Sequence, residues 1–136
     1  MKIFLDTNVI IDIADHRQGE MAAKRIVDLF SAREDSRIFV SFLSVADAAY
    51  ILRKNGKEKI SRFVSDMRTK FIVLACTDAD LLYANKIDGP DFEDCLQISV
   101  AESRNVDVIL TRNKTHFAPY TEIPVLTPEE FVSHML

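Results

Sequence analysis

The chain has 136 residues, of which 48% are hydrophobic, and a formal net charge of −4 at pH 7. That length suits one domain, residues 1–136, with a sizeable core, and that apolar share excludes a disordered chain. The acidic balance argues against a nucleic-acid binder working by bulk positive charge. It does not exclude a nucleic-acid enzyme whose acids are neutralised by metal.

No apolar run approaches 18 residues, so no transmembrane helix is expected. A strand begins at once, without a basic region followed by an apolar one, so a cytoplasmic protein without a signal peptide is expected. Cys76 and Cys95 lie far apart without zinc-ligand spacing and read as two reduced, buried thiols.

In chain order, residues 2–5 form an apolar strand that ends abruptly in Asp6, and a short helix begins at Asn8. Residues 20–32 carry Met21, Ala22, Ile26, Leu29 and Phe30 at helical spacing. Residues 37–41 are a second strand. Ser44 is the expected cap of the next helix, with Asp47 at its third position as in a capping box. Asn55-Gly56 ends that helix. Residues 57–69 are helical, 71–75 a third strand, and Thr77 caps a helix over 78–86.

Past Gly89-Pro90, Asp91 caps a helix whose first turn holds Glu93 and Asp94. Cys95, Ile98, Val100 and Ala101 give it an apolar stripe. Residues 106–110 then form a nearly continuous apolar run, as in a strand buried on both faces of a parallel sheet. Thr111, Arg112 and Asn113 stand at its carboxyl end. Val125-Leu126 is a brief fifth strand, and Thr127-Pro128 opens a last helix. Strands alternating with helices predict a three-layer α/β/α fold around a mostly parallel central sheet.

In such folds ligands bind beyond the carboxyl ends of the strands. Asp6, Asp47, Asp94 and Asn113 are all expected at that rim, with Asp91 one helical turn before Asp94. Each has an ordinary role available: Asp47, Asp91 and Asp94 as helix-capping acids, Asn113 as a turn residue. Converging carboxylates repel one another unless a cation neutralises them, and hard oxygen ligands suit Mg²⁺ or Mn²⁺. Such an ion orients and acidifies water and stabilises charge on a phosphate. Asp6 and Asp94, at the most rigid positions, are the expected metal ligands, with Asp47 and Asn113 acting through water or hydrogen bonds. His16, His116 and His134 are given no role, although His116 lies three residues after Asn113.

Asp6-Thr7-Asn8 after a strand, Ser44-Val45-Ala46-Asp47, Asp91-Phe92-Glu93-Asp94-Cys95-Leu96-Gln97 and Thr111-Arg112-Asn113, in this order and spacing, resemble the PIN domain across essentially the whole chain. The resemblance implies a Mg²⁺- or Mn²⁺-dependent ribonuclease acting on RNA, of the size of VapC-type toxins. It also implies a homodimer and an antitoxin partner that lays apolar and basic residues along a groove and reaches the acidic pocket. It puts the first acid at Asp6, the second, more often Glu, at Asp47, the third at Asp94 and the fourth, often Asp, at Asn113. Asn8 and Thr111 match flanking positions. Asp47 reaches less far than Glu, and the neutral Asn113 removes one charge from the site. A second reading is a PIN-like module that binds RNA or protein with little catalysis. A third is an aspartyl-phosphate phosphotransferase resembling haloacid dehalogenases, where Asn8 cannot replace the required acid–base group.

Overall fold

A computed structural model describes residues 1–135. Five strands, β1 (Lys2–Leu5), β2 (Arg37–Ser41), β3 (Ile72–Leu74), β4 (Val108–Leu110) and β5 (Val125–Leu126), form one sheet in the order β3-β2-β1-β4-β5. Every neighbouring pair is parallel, with Phe4 opposite Phe39 and Ile109. The expected α/β class and parallel sheet are both present. β1 lies at the centre, so Asp6 emerges at the middle of the carboxyl rim.

Among the described residues seven α-helices connect and cover the strands: α1 (Thr7–Ala14), α2 (Glu20–Phe30), α3 (Phe42–Leu52), α4 (Lys57–Lys70), α5 (Asp78–Ala84), α6 (Phe92–Ser103) and α7 (Pro128–Met135). Successive strand residues point to opposite faces, and the core divides accordingly. Ile3, Leu5, Ile38, Val40, Val108 and Leu110 pack with Ile10, Ile26, Phe63 and Phe131 of the helices on one face. Phe4, Phe39 and Ile109 pack with Ile98 and Ala101 of α6 on the other. No helix among the described residues is long and apolar enough to cross a membrane.

The helix starts follow local chemistry. Thr77 and Asp80 form a reciprocal capping box, as do Thr127 and Glu130. Asp91 caps α6 by accepting from the Asp94 N–H at 3.1 Å. Gly56, at φ 93°, takes the left-handed backbone that ends the turn after α3. One expected cap is corrected. Ser41, not Ser44, caps α3, accepting from the Ser44 N–H at 3.1 Å, so the helix starts at Phe42 and Asp47 stands in its second turn. The side chain that ends β2 reaches the first free N–H groups before Ser44 can. Cys95 is buried as expected, but Cys76, on the loop after β3, is exposed.

α7 closes the molecule by packing on α2, with the Phe30 and Phe131 rings 5.4 Å apart. Phe131 is 2% exposed. Phe131→Ala therefore lowers unfolding free energy by about 3–5 kcal/mol, read as a shift of the urea midpoint at unchanged slope.

Candidate active site

Asp6 follows the last apolar residue of β1 and caps α1 in the same step. Its Oδ1 accepts from the Thr7 N–H at 2.8 Å and from Gln97 Nε2 at 3.3 Å, and its Oδ2 accepts from the Thr111 hydroxyl at 2.8 Å. The residue is 3% exposed. All of these donors are neutral, and no cation among the described residues pairs with it. Burial therefore pushes its carboxyl up to about 6, against the opposing hydrogen bonds and with added repulsion from Asp94.

Gln97 ties this acid to the next strand. Its Nε2 also lies 3.1 Å from Thr7 Oγ1 and 2.6 Å from Ser44 Oγ, and its Oε1 accepts from the Ser41 hydroxyl at 2.6 Å. Thr7 and Ser44 hydroxyls meet at 2.7 Å. No buried side-chain N or O among the described residues is left without a partner.

Asp94 stands at the third position of α6. Its Oδ2 meets Asn113 Nδ2 at 3.3 Å and His116 Nδ1 at 2.9 Å. Burial raises its carboxyl above the usual range, with repulsion from Asp91, while His116 and Asn113 hold it down. Thus Asp6, Asp94, Asn113 and Thr111 converge. Asn8 serves differently from a ligand, accepting from the Arg112 N–H at 3.2 Å.

Asp47 faces Glu93. A hydrogen bond between the two carboxyls, then burial and repulsion from Asp47, Asp91 and Asp94, raise Glu93 to about 7. Asp47 therefore joins the rim through Glu93, and Asp91 through its cap on α6.

Sequence reasoning missed three of these residues. Gln97 stands in the matched motif with no role of its own, Glu93 reads only as a first-turn acid, and His116 as a loop residue. The signal for Glu93 and Gln97 lay in their placement four residues apart, one turn of α6.

Among the described residues no three His, Cys, Asp or Glu side chains gather closely enough to hold an ion unaided. That is poor for zinc, which takes three or four protein ligands. It fits Mg²⁺ or Mn²⁺, since magnesium is commonly held by one or two carboxylates with water and phosphate completing its shell. The uncompensated burial of Asp6 is the cost that such a cation would offset.

In metal-free protein the folded chain holds protons on Asp6 and Glu93 that the unfolded chain has already released. Stability therefore falls as pH rises, from 3.8 to about 6 for Asp6 and from 4.5 to about 7 for Glu93. Asp6→Asn removes the buried share, and the Thr111 hydroxyl turns to accept from the new amide. Thermal melts in chelator should show this variant about 1–3 kcal/mol more stable than the parent at pH 7.5 and flatter between pH 4 and 6. A variant that keeps the parent's slope over that range would contradict the assignment.

The PIN domain family model matches residues 2–115. Ribonuclease VapC1 of Aquifex aeolicus is 28% identical over 137 residues, covering 96% of this chain and 92% of that protein. The fold is also that of VapBC2 from Rickettsia felis, crystallised with a DNA fragment from its promoter: TM-score 0.74, 16% identity, 92% of this chain and 97% of that one. VapC20 of Mycobacterium tuberculosis, a toxin that cleaves the sarcin-ricin loop, superposes at TM-score 0.68 with 16% identity, over 90% of this chain and 98% of that one. With the buried strand-end acid, the α6 carboxylate and the Thr111-Asn113 rim in place, the match across most of its length makes this chain a member of the PIN domain family.

Proposed function

We propose that this protein is a divalent-metal-dependent endoribonuclease acting as the toxin of a toxin–antitoxin pair. The observation that carries the reading is Asp6: a carboxylate 3% exposed, satisfied only by neutral donors and set against a second acid. The ribonuclease and toxin relatives support the choice of RNA phosphodiester as substrate.

Asp6 and Asp94 would hold Mg²⁺ or Mn²⁺. A bound divalent ion supplies Lewis acidity at the phosphate and a more acidic water. Thr111 and Gln97 keep both oxygens of Asp6 in place. Asn113 and His116 engage Asp94 through Oδ2, so Oδ1 would be the oxygen offered to the ion. Glu93, raised to about 7 chiefly by its hydrogen bond to Asp47, offers a further carboxylate at the lip, where its longer side chain makes up for the short reach of Asp47.

The partner fits a second surface. A groove of about 260 Å³ runs between α1, α2 and α4, floored by Ile10, Ile13, Val27, Phe63 and Met67. Lys24, Lys59, Arg62 and Lys70 line it, outnumbering Asp28 and Asp66. It suits an amphipathic antitoxin segment whose acids meet these cations, while basic residues are suited to the acidic rim.

The test is cleavage of mixed RNA after chelation and re-addition of Mg²⁺ or Mn²⁺. Asp6→Asn and Asp94→Asn should each lower the rate at least about 100-fold with the fold retained. Wild-type-like, metal-dependent cleavage by either variant would sink the mechanism. RNA binding without cleavage by the parent protein would favour a binding module.

For the partner, Lys59→Glu together with Arg62→Glu should weaken the complex with the co-expressed antitoxin at least about tenfold and leave RNA cleavage unchanged. Unchanged affinity would place the antitoxin elsewhere.

A further inference from the structure

Thr111, Arg112 and Asn113 follow the last residue of β4, and their side chains reach different partners. Thr111 donates to Asp6, and Asn113 donates to Asp94. Arg112 turns the other way. Its Nε is ion-paired with Asp12 of α1, its Nη2 donates to the Gly19 carbonyl at 3.2 Å, and its Nη1 lies 2.7 and 2.8 Å from the two oxygens of Glu129 on α7. Its own backbone N–H donates to Asn8 Oδ1 at 3.2 Å. The guanidinium is thus gripped by three elements, and the segment between the two acids is held from both sides.

We propose that Arg112 is a positioning residue, clamped by Asp12, Gly19 and Glu129 so that the backbone on either side presents Thr111 to Asp6 and Asn113 to Asp94. The inference rests on the reading of Asp6 and Asp94 as the metal-holding pair.

Three observations carry it. Asp12 is 6% exposed, so its pair with Arg112 is shielded from the solvent that weakens surface ion pairs. The planar fork matches three acceptors in different directions, which the single point charge of a lysine cannot do. A methyl group added at Gly19 would overlap the Arg112 guanidinium and the Asp12 carboxylate, so the chain keeps a glycine where the clamp closes. Glu129 lies beyond residues 2–115, so the clamp recruits a helix outside the part that matches the family model.

The test compares the parent protein with Arg112→Met, Arg112→Lys and Gly19→Ala. The first readout is the Asn113 side-chain amide resonance in metal-free protein, assigned by its loss in Asn113→Asp. The second is Mn²⁺ affinity by calorimetry, and the third is RNA cleavage. Arg112→Met should shift the amide, weaken Mn²⁺ binding at least tenfold and lower kcat at least tenfold with KM within twofold. Arg112→Lys should recover part of each loss, and Gly19→Ala should shift the same amide without altering any charge.

A residue that only supports the fold would lower the melting temperature and leave the amide and the Mn²⁺ affinity of the folded protein unchanged. That result in Arg112→Met overturns the proposal. If that variant does not fold, the same result in Gly19→Ala overturns it. A parent protein that cleaves no RNA would count against the ribonuclease reading alone, because the amide and Mn²⁺ measurements still report on the clamp.

Discussion

The carboxylate of Asp6, carried to the centre of the sheet and closed off from water, is the constraint around which the rim is built. A buried polar atom without a partner costs several kcal/mol, so each oxygen must find a donor. The donors come from α1 at Thr7, from α6 at Gln97 and from the end of β4 at Thr111. Gln97 in turn needs partners, and Ser41 and Ser44 supply them from the end of β2 and the start of α3. Satisfying one acid therefore fixes the relative placement of three strand ends and three helices. A parallel sheet makes this feasible because it delivers all its carboxyl ends to one side.

Two buried acids on α1 and its cap show how differently a fold can treat the same chemistry. Asp12, 6% exposed, is balanced by the Arg112 guanidinium. Asp6, 3% exposed, receives only neutral hydrogen bonds. Neutral donors orient a carboxylate and reduce its desolvation cost, but they leave its charge in place. Asp12 is thereby complete as a structural ion pair, whereas the charge of Asp6 has no cationic partner among the described residues.

The periodicity of the sequence carried the sheet because buried parallel strands are short apolar runs with sharp polar ends. It carried Asp6, Thr111 and Asn113 for the same reason, since those polar ends are the rim, and Asp94 because an acid in the first turn of α6 lies at the same side of the sheet. What it could not carry were partners distant in the chain. Arg112 meets Asp12 across 100 residues, and His116 meets Asp94 across 22. No local pattern encodes such pairings, so Arg112 read as part of a polar turn and His116 as a loop residue. Gln97 was hidden by its neighbours: a polar side chain within a buried helical stripe looks like an interruption of the core until the strand-end hydroxyls that use it are in view. The Ser44 cap failed more locally. Two serines three residues apart both suit the role, and only the point where β2 ends decides between them.

The net charge of −4 averages two surfaces of opposite sign. Asp6, Asp47, Asp91, Glu93 and Asp94 gather at the rim, whereas Lys24, Lys59, Arg62 and Lys70 line the groove between α1, α2 and α4. Exposed charges farther apart than the roughly 8 Å screening length act almost independently at physiological salt, so a ligand responds to the local sign rather than to the sum. On the proposed function, a polyanion would be repelled at the bare rim, and a divalent cation held by Asp6 and Asp94 would lower that repulsion. An acidic, amphipathic polypeptide would meet no such barrier at the groove. On that reading the two kinds of ligand are separated by electrostatics before any shape is read, and a bound metal would bear on one surface and not on the other.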